Sequence, residues 1–250
     1  MQRYFVSNQQ MTENQVIILG EDATHIKKVM RMQTGHTIVC INQNQRAVLC
    51  VLDSIDNTGV RATVVEELTE KTELPIAVTI AQGLPKSDKL EWIVQKGTEL
   101  GATGFLPFSA SRSVVKWDQK KSEKKRERLE KIAKEAAEQS YRLNIPQIHD
   151  SANEKAVIDL IAHHTASIVL AEEQAKNGET SQFSKVLSSL TEGDSLLVIV
   201  GPEGGLSESE VDHFQEAGAI PCGLGPRILR TETASLATLA AISYQFELMR

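Results

Sequence analysis

From Pro75 onward, short apolar runs alternate with stretches of helical periodicity, and this alternation constrains the fold more than any other feature of the chain. The runs occupy residues 76–81, 105–108, 167–170, 195–200 and 220–224. They are apolar at nearly every position, as in strands covered on both faces, not at every second one. Between the first two, Leu90, Ile93, Val94, Gly97 and Leu100 share one helical face, and Gly101 stands where a C-terminal cap belongs. Ser87 or Asp88 is placed to cap that helix, and Glu91 follows Asp88 in capping-box register. A long helix is predicted over 119–140, with Leu129, Ile132, Ala133, Ala136 and Ala137 on its buried side. Further helices are predicted over 155–161, 207–216 and 232–249. The expected architecture is an α/β domain with a parallel sheet between helices.

The first seventy residues follow another rhythm. Strands are predicted over 16–19, 37–41, 47–55 and 60–65, with a short helix over 25–32 and a turn at Asp56-Asn57-Thr58-Gly59. Short strands at this spacing suggest a barrel-like module. The polar stretch 66–75, ending in proline, is the best linker in the sequence. We therefore divide the chain into residues 1–72 and 73–250.

Composition excludes several classes. The 250 residues, 41% apolar and 24% charged, suit a folded chain of one large or two modest domains. No apolar run reaches the roughly 18 residues of a membrane span, and the N-terminus lacks a signal-peptide stretch. A cytoplasmic protein without membrane association is expected. Cys40, Cys50 and Cys222 show no paired spacing, and the histidines make no ligand pattern, so no metal site is expected. The net charge of −6 conceals a segment, 112–134, with ten Lys/Arg against four Asp/Glu. A solvated helix face and a nucleic-acid contact both remain open for it.

In such a sheet, ligands bind outside the carboxyl ends of the strands. Three ends carry chemistry here: Leu170-Ala171-Glu172; Val200-Gly201-Pro202-Glu203-Gly204-Gly205; and Leu224-Gly225-Pro226-Arg227-Ile228-Leu229-Arg230-Thr231-Glu232. The glycines permit either a tight turn or close approach of a ligand. Neither the Walker nor the dinucleotide pattern is present, and Glu203 would repel a phosphate. At the third end, either Arg–Glu pairing with Thr231 as a helix cap or a bound ligand would account for the polar cluster.

These segments resemble the RsmE family. Gly-Pro-Glu-Gly-Gly at 201–205, with Leu206-Ser207 and Glu210, is similar to one signature, and 224–234 is similar to another. Gln95-Lys96-Gly97-Thr98-Glu99-Leu100-Gly101, Ser111-Arg112-Ser113 and 135–140 resemble further ones, as do Arg3-Tyr4-Phe5-Val6 and Val29-Met30-Arg31-Met32 near the start. The resemblance covers nearly the whole chain, in order.

The resemblance implies an enzyme of the SPOUT class that methylates N3 of one uracil, at position 1498, in the 16S RNA of the small ribosomal subunit. The methyl donor would be S-adenosylmethionine. The implied fold is a PUA-like β-barrel RNA-binding domain followed by an α/β domain with a trefoil knot, and the implied assembly is a homodimer. Carried over by position, Leu170, Ala171, Glu172, Val200, Gly201, Gly205, Leu224, Gly225, Ile228, Leu229 and Thr231 would hold the cofactor. Arg230 would stabilise charge on the uracil oxygens, Glu232 would orient it, and Glu203 would serve as base or as a neighbour of the sulfonium. Arg3, Lys28, Arg31 and Arg112, with Lys27, would contact RNA. The competing reading is a non-catalytic RNA-binding protein using the same basic surface.

Overall fold

A computed structural model describes residues 1–69, 71–171 and 181–249. It separates into two compact units: residues 1–73 together with 137–144, and residues 74–136 together with 145–250.

The first unit is built on a five-stranded sheet. Its strands are β1 (Arg3–Phe5), β2 (Gln15–Ile18), β3 (Thr37–Ile41), β4 (Ala47–Ile55) and β5 (Val60–Leu68), in the order β1-β3-β4-β5-β2. Only β1 and β3 run parallel; every other pairing is antiparallel. Two register shifts between β4 and β5 bend the sheet. One face packs Tyr4, Ile18, Ile38, Cys50 and Leu52, and the other buries Val39, Ile41 and Ala47 against Leu143. The helix predicted over 25–32 is instead a short α1 (Gly20–Thr24) continued by a π-helical turn, His25–Val29, that inserts Ile26 into the core. The polar stretch 66–75 is not a free linker. The strand β5 runs through Leu68, and Glu73 accepts from Nε of Arg142 at 2.9 Å and from the Leu143 amide at 2.7 Å.

The second unit carries the α/β alternation. Its strands β6 (Ala77–Gly83), β7 (Gly104–Ser109), β8 (Gln147–Ile148), β9 (Ala152–Asn153), β10 (Ala166–Leu170), β11 (Ser195–Val200) and β12 (Ile220–Cys222) are all parallel, in the order β12-β10-β11-β6-β7-β8, with β9 also on β7. The helices are α2 (Lys89–Glu99), α3 (Gln119–Gln139), α4 (Glu154–Ile161), α5 (Gln182–Ser189), α6 (Glu208–Glu216) and α7 (Thr231–Ser243). One face of the sheet packs on α2, α5 and α7 through Leu90, Ile93, Val94, Val186, Leu239 and Ile242. The other packs on α4 and α6 through Val157, Ile161 and Phe214. Near-continuous apolar strands are thus buried on both faces, as their composition requires. Two predicted helix details fail. Asp88 holds the N-cap position but makes no side-chain cap, and the Glu91 carboxylate is paired with Arg128 and Lys125 instead of closing a capping box. The last helix ends at Ser243 and gives way to a π-helical turn, Tyr244–Leu248.

Candidate active site

The sheet reverses its direction of growth between β6 and β11, and a crevice outside the carboxyl ends of strands is expected there. A cleft of about 400 Å³ lies on the β11 side of this seam, outside the carboxyl ends of β10, β11 and β12. Leu170, Ala171, Val200, Gly201, Gly205, Leu224, Ile228, Leu229 and Thr231 line it, together with Glu203 and Arg230. Gly225 is not in the lining; its φ of +96° supplies the turn that returns the chain toward Thr231. Glu172 lies outside the described residues.

A buried polar knot holds the loop after β11 to the start of α7. The Thr231 hydroxyl donates to the Gly201 carbonyl at 2.6 Å and accepts from Nε2 of Gln82 at 2.8 Å. The hydroxyl of Ser235 donates to Oε1 of Gln82 at 2.7 Å. Gln82 and Ser235 are wholly buried, so these bonds act without competition from water. Thr231 is therefore not a helix cap: the N-cap position of α7 belongs to Arg230, which makes no side-chain cap. A Cβ on Gly201 would lie 2.8 Å from backbone atoms of Gly205 and Leu206, so the loop closes only on glycine.

Electrostatics at the cleft centre on Lys89, the first residue of α2. Its ammonium sits 2.9 Å from Glu203 and 3.3 Å from Glu232. Glu232 therefore pairs with Lys89 and not with Arg230. Burial opposes ionisation of Glu203, but the Lys89 ammonium and the Lys86 amide outweigh it and hold the carboxyl below its ordinary range. A carboxylate so stabilised is a weak base. Hydrogen bonding to Glu203, set against partial desolvation, raises Lys89 in turn. Arg227 and Arg230 are exposed at the cleft and have no ion-pair partner among the described residues.

A second carboxylate braces the loop from behind. Glu210, only 3% exposed, accepts from the amide and hydroxyl of Ser111 and from the amide and hydroxyl of Ser207, all at 2.7–2.9 Å. The Ser207–Glu210 capping box is present. Ser111 thereby positions Arg112, whose Nη1 donates to the Gly204 carbonyl at 3.1 Å.

The other residues expected to contact RNA lie in the first unit. Lys28 and Arg31 are exposed, and Lys27 is partly so. Arg3 is a correction: it is 3% exposed, with its guanidinium 4.2 Å from the centre of the Tyr141 ring, and so offers no surface to a phosphate. Sequence reasoning missed Gln82, Lys89 and Ser235. The first two stand at or just after the end of β6, a fourth strand end that carries no glycine-rich loop to draw attention to it.

Comparison with known proteins agrees with this architecture. The RNA methyltransferase domain family matches residues 72–243, and the RNA methyltransferase PUA domain family matches residues 18–65. The chain is 53% identical over 253 residues to ribosomal RNA small subunit methyltransferase E of Bacillus subtilis (strain 168), covering 100% of this chain and 99% of the relative. It is 30% identical to the protein of the same name from Mycobacterium bovis, covering 90% and 85%. Among solved structures, ribosomal RNA small subunit methyltransferase E from Neisseria gonorrhoeae bound to S-adenosyl methionine superposes with a TM-score of 0.84 at 26% identity, covering 98% of both chains. A methyltransferase from Legionella pneumophila in complex with the same cofactor gives 0.83 at 25% identity, covering 96% of both. On the domain matches and the full-length identity, the chain belongs to the ribosomal RNA small subunit methyltransferase E (RsmE) family.

Proposed function

We propose that this chain transfers a methyl group from S-adenosylmethionine to N3 of a uracil in 16S ribosomal RNA of the small subunit. The observation that carries the reading is the cleft itself: three strand ends meet around a glycine loop that only Gly201 allows, within a family of ribosomal RNA methyltransferases.

The residues present fit the cofactor. Leu170, Val200, Leu224, Ile228 and Leu229 give apolar walls for a planar base, and the cleft falls within the usual range for small-molecule sites, roughly 300–1,000 Å³. Backbone groups of 200–205 and 224–231 would bind its polar edges. The ionised Glu203 suits a cationic ligand and opposes a phosphate. When bound, S-adenosylmethionine supplies an electrophilic methyl group on a good leaving group.

The chain's own task is to orient the uracil and to ease loss of its N3 proton, since the neutral imide nitrogen is a poor nucleophile. Arg230, held at the N-cap of α7 with its guanidinium unpaired among the described residues, would donate to the uracil oxygens as negative charge develops there. Arg227 stands beside it on the cleft with the same freedom. Lys89 pairs with Glu203 and with Glu232, which leaves Arg227 and Arg230 to the substrate. Glu203 is then a charged neighbour of the sulfonium and not the base. N3 lies on the pairing edge, so the target enters unpaired or extruded from its stack. Lys28, Arg31 and Arg112 would hold phosphates, and the assembly would be a homodimer. The exposed Tyr244, Leu248 and Met249 at the end of the chain supply apolar surface for that contact.

Calorimetry tests the site. The reading requires saturable binding of S-adenosylhomocysteine and none of ATP. Binding of neither would favour the RNA-binding reading, and preference for ATP would indicate a phosphate-handling enzyme.

A further inference from the structure

The cations of the basic segment are not equivalent. On α3, Lys125 and Arg128 are neutralised by Glu91 at 3.2 and 2.7 Å, and Arg126 by Glu130 and Asp150 at 3.5 and 3.3 Å. Lys120, Lys121 and Lys124 are exposed and have no ion-pair partner among the described residues. At 100° per residue, Lys120, Lys121, Lys124, Lys125 and Arg128 fall within an arc of about 140°, and Glu123, Glu127 and Glu130 occupy a separate arc of about 60°. The five cations border a shallow groove of about 440 Å³ in which Asp118 is the only carboxylate among the described residues. Asp118 is committed to the helix, accepting from the Lys121 amide at 2.8 Å.

Three uncompensated ammonium groups within one arc of the helix match a run of phosphates. Every residue that lines the groove carries a charged side chain. Such a surface binds backbone without reading sequence.

We propose that Lys120, Lys121 and Lys124 form a docking ridge for the sugar–phosphate backbone of the small-subunit RNA, apart from the cleft. The ridge positions the substrate and takes no part in methyl transfer. The proposal rests on the functional reading above for the identity of the RNA. Lys125 and Arg128 contribute little, because a phosphate would have to compete with Glu91.

The test is binding of fluorescently labelled small ribosomal subunits lacking the methyl group to the full chain between 50 and 200 mM KCl. Each phosphate contact adds about 0.7–0.9 to the log–log salt slope, so K120Q/K121Q/K124Q should flatten it by about 2–3. Over that fourfold range the wild-type chain should lose roughly 20- to 40-fold more affinity than the variant. Arg126→Gln, a charge loss outside the ridge, should leave the slope unchanged. In methyl transfer, the triple variant should raise KM for subunits while kcat and KM for S-adenosylmethionine stay constant. An unchanged slope in the triple variant overturns the ridge, as does an equal loss in Arg126→Gln. If the triple variant loses binding to anionic phospholipid vesicles but not to subunits, the partner is a membrane and the proposal fails. A chain that binds subunits through these lysines yet transfers no methyl group overturns the functional reading and leaves the ridge standing.

Discussion

Glu203 and Glu210 are both carboxylates held below their ordinary range, but by different partners and with different consequences. For Glu210, burial opposes the charge and four hydrogen bonds from Ser111 and Ser207 outweigh it. Replacing it by alanine leaves the amides of Ser111 and Ser207 without their acceptor and should cost about 1–3 kcal/mol, measured by denaturant unfolding. For Glu203 the partner that matters is Lys89. A lowered carboxyl contributes stability above the unfolded value near 4.3 and loses it as pH falls through the folded one; the raised ammonium contributes below about 10.4 and loses it as pH rises through its folded value. The pair is therefore intact across neutrality. Affinity for S-adenosylhomocysteine should be flat between pH 6 and 8, and a step there would show that another group titrates in the site. Residue type alone did not reveal these roles. Glu203, Arg230 and Glu232 stand out in the sequence, but their partners do not, because Lys89 is 114 positions from Glu203 and 143 from Glu232. That distance turned an expected Arg230–Glu232 pair into a Lys89–Glu232 pair.

Elements were legible where a single period governed them. The strands β6, β10 and β11 and the helix α2 were readable because burial on both faces, or on one stripe, imposes an apolar pattern. Elsewhere the pattern misleads: the turn at His25–Val29 is π-helical, with Ile26 buried in the core. The helix α5 was not anticipated; its Phe183, Val186 and Leu187 give a stripe of less than three turns. The glycine loop left a tight turn and a ligand cradle equally open, and the structure gives it both a steric closure and a polar anchor. Gly201→Ala should weaken S-adenosylhomocysteine binding at least tenfold, because the new Cβ meets backbone that has nowhere to move. Thr231→Val removes the hydroxyl shared by Gly201 and Gln82 and should cost about 1–3 kcal/mol, with cofactor affinity falling on the order of tenfold. Calorimetry and thermal melts of both variants check these outcomes, and a Thr231→Val chain that binds as tightly as wild type would show that the anchor is dispensable.

At the scale of the whole molecule, periodicity gave the number of units but not how the chain is shared between them. The first unit takes back residues 137–144, so Arg142 reaches Glu73 and Leu143 completes a small core. No local pattern announces an eight-residue return. A fragment ending at Glu73 would leave that carboxylate without its guanidinium, at a cost on the order of 3 kcal/mol. Its β3–β5 amides should exchange hydrogen faster than in the full chain; equal protection would show the return to be decorative. The net charge of the molecule is likewise uninformative, since −6 overall coexists with an uncompensated basic flank on α3. The central claim is that the cleft at the three strand ends makes this chain a uracil-N3 methyltransferase. It is tested most directly by transfer of labelled methyl from S-adenosylmethionine to small ribosomal subunits lacking the modification, with nucleoside analysis of the RNA. The account predicts label recovered as 3-methyluridine, lost in Gly201→Ala. Label in any other nucleoside, or none with wild-type protein that binds S-adenosylhomocysteine, would contradict it.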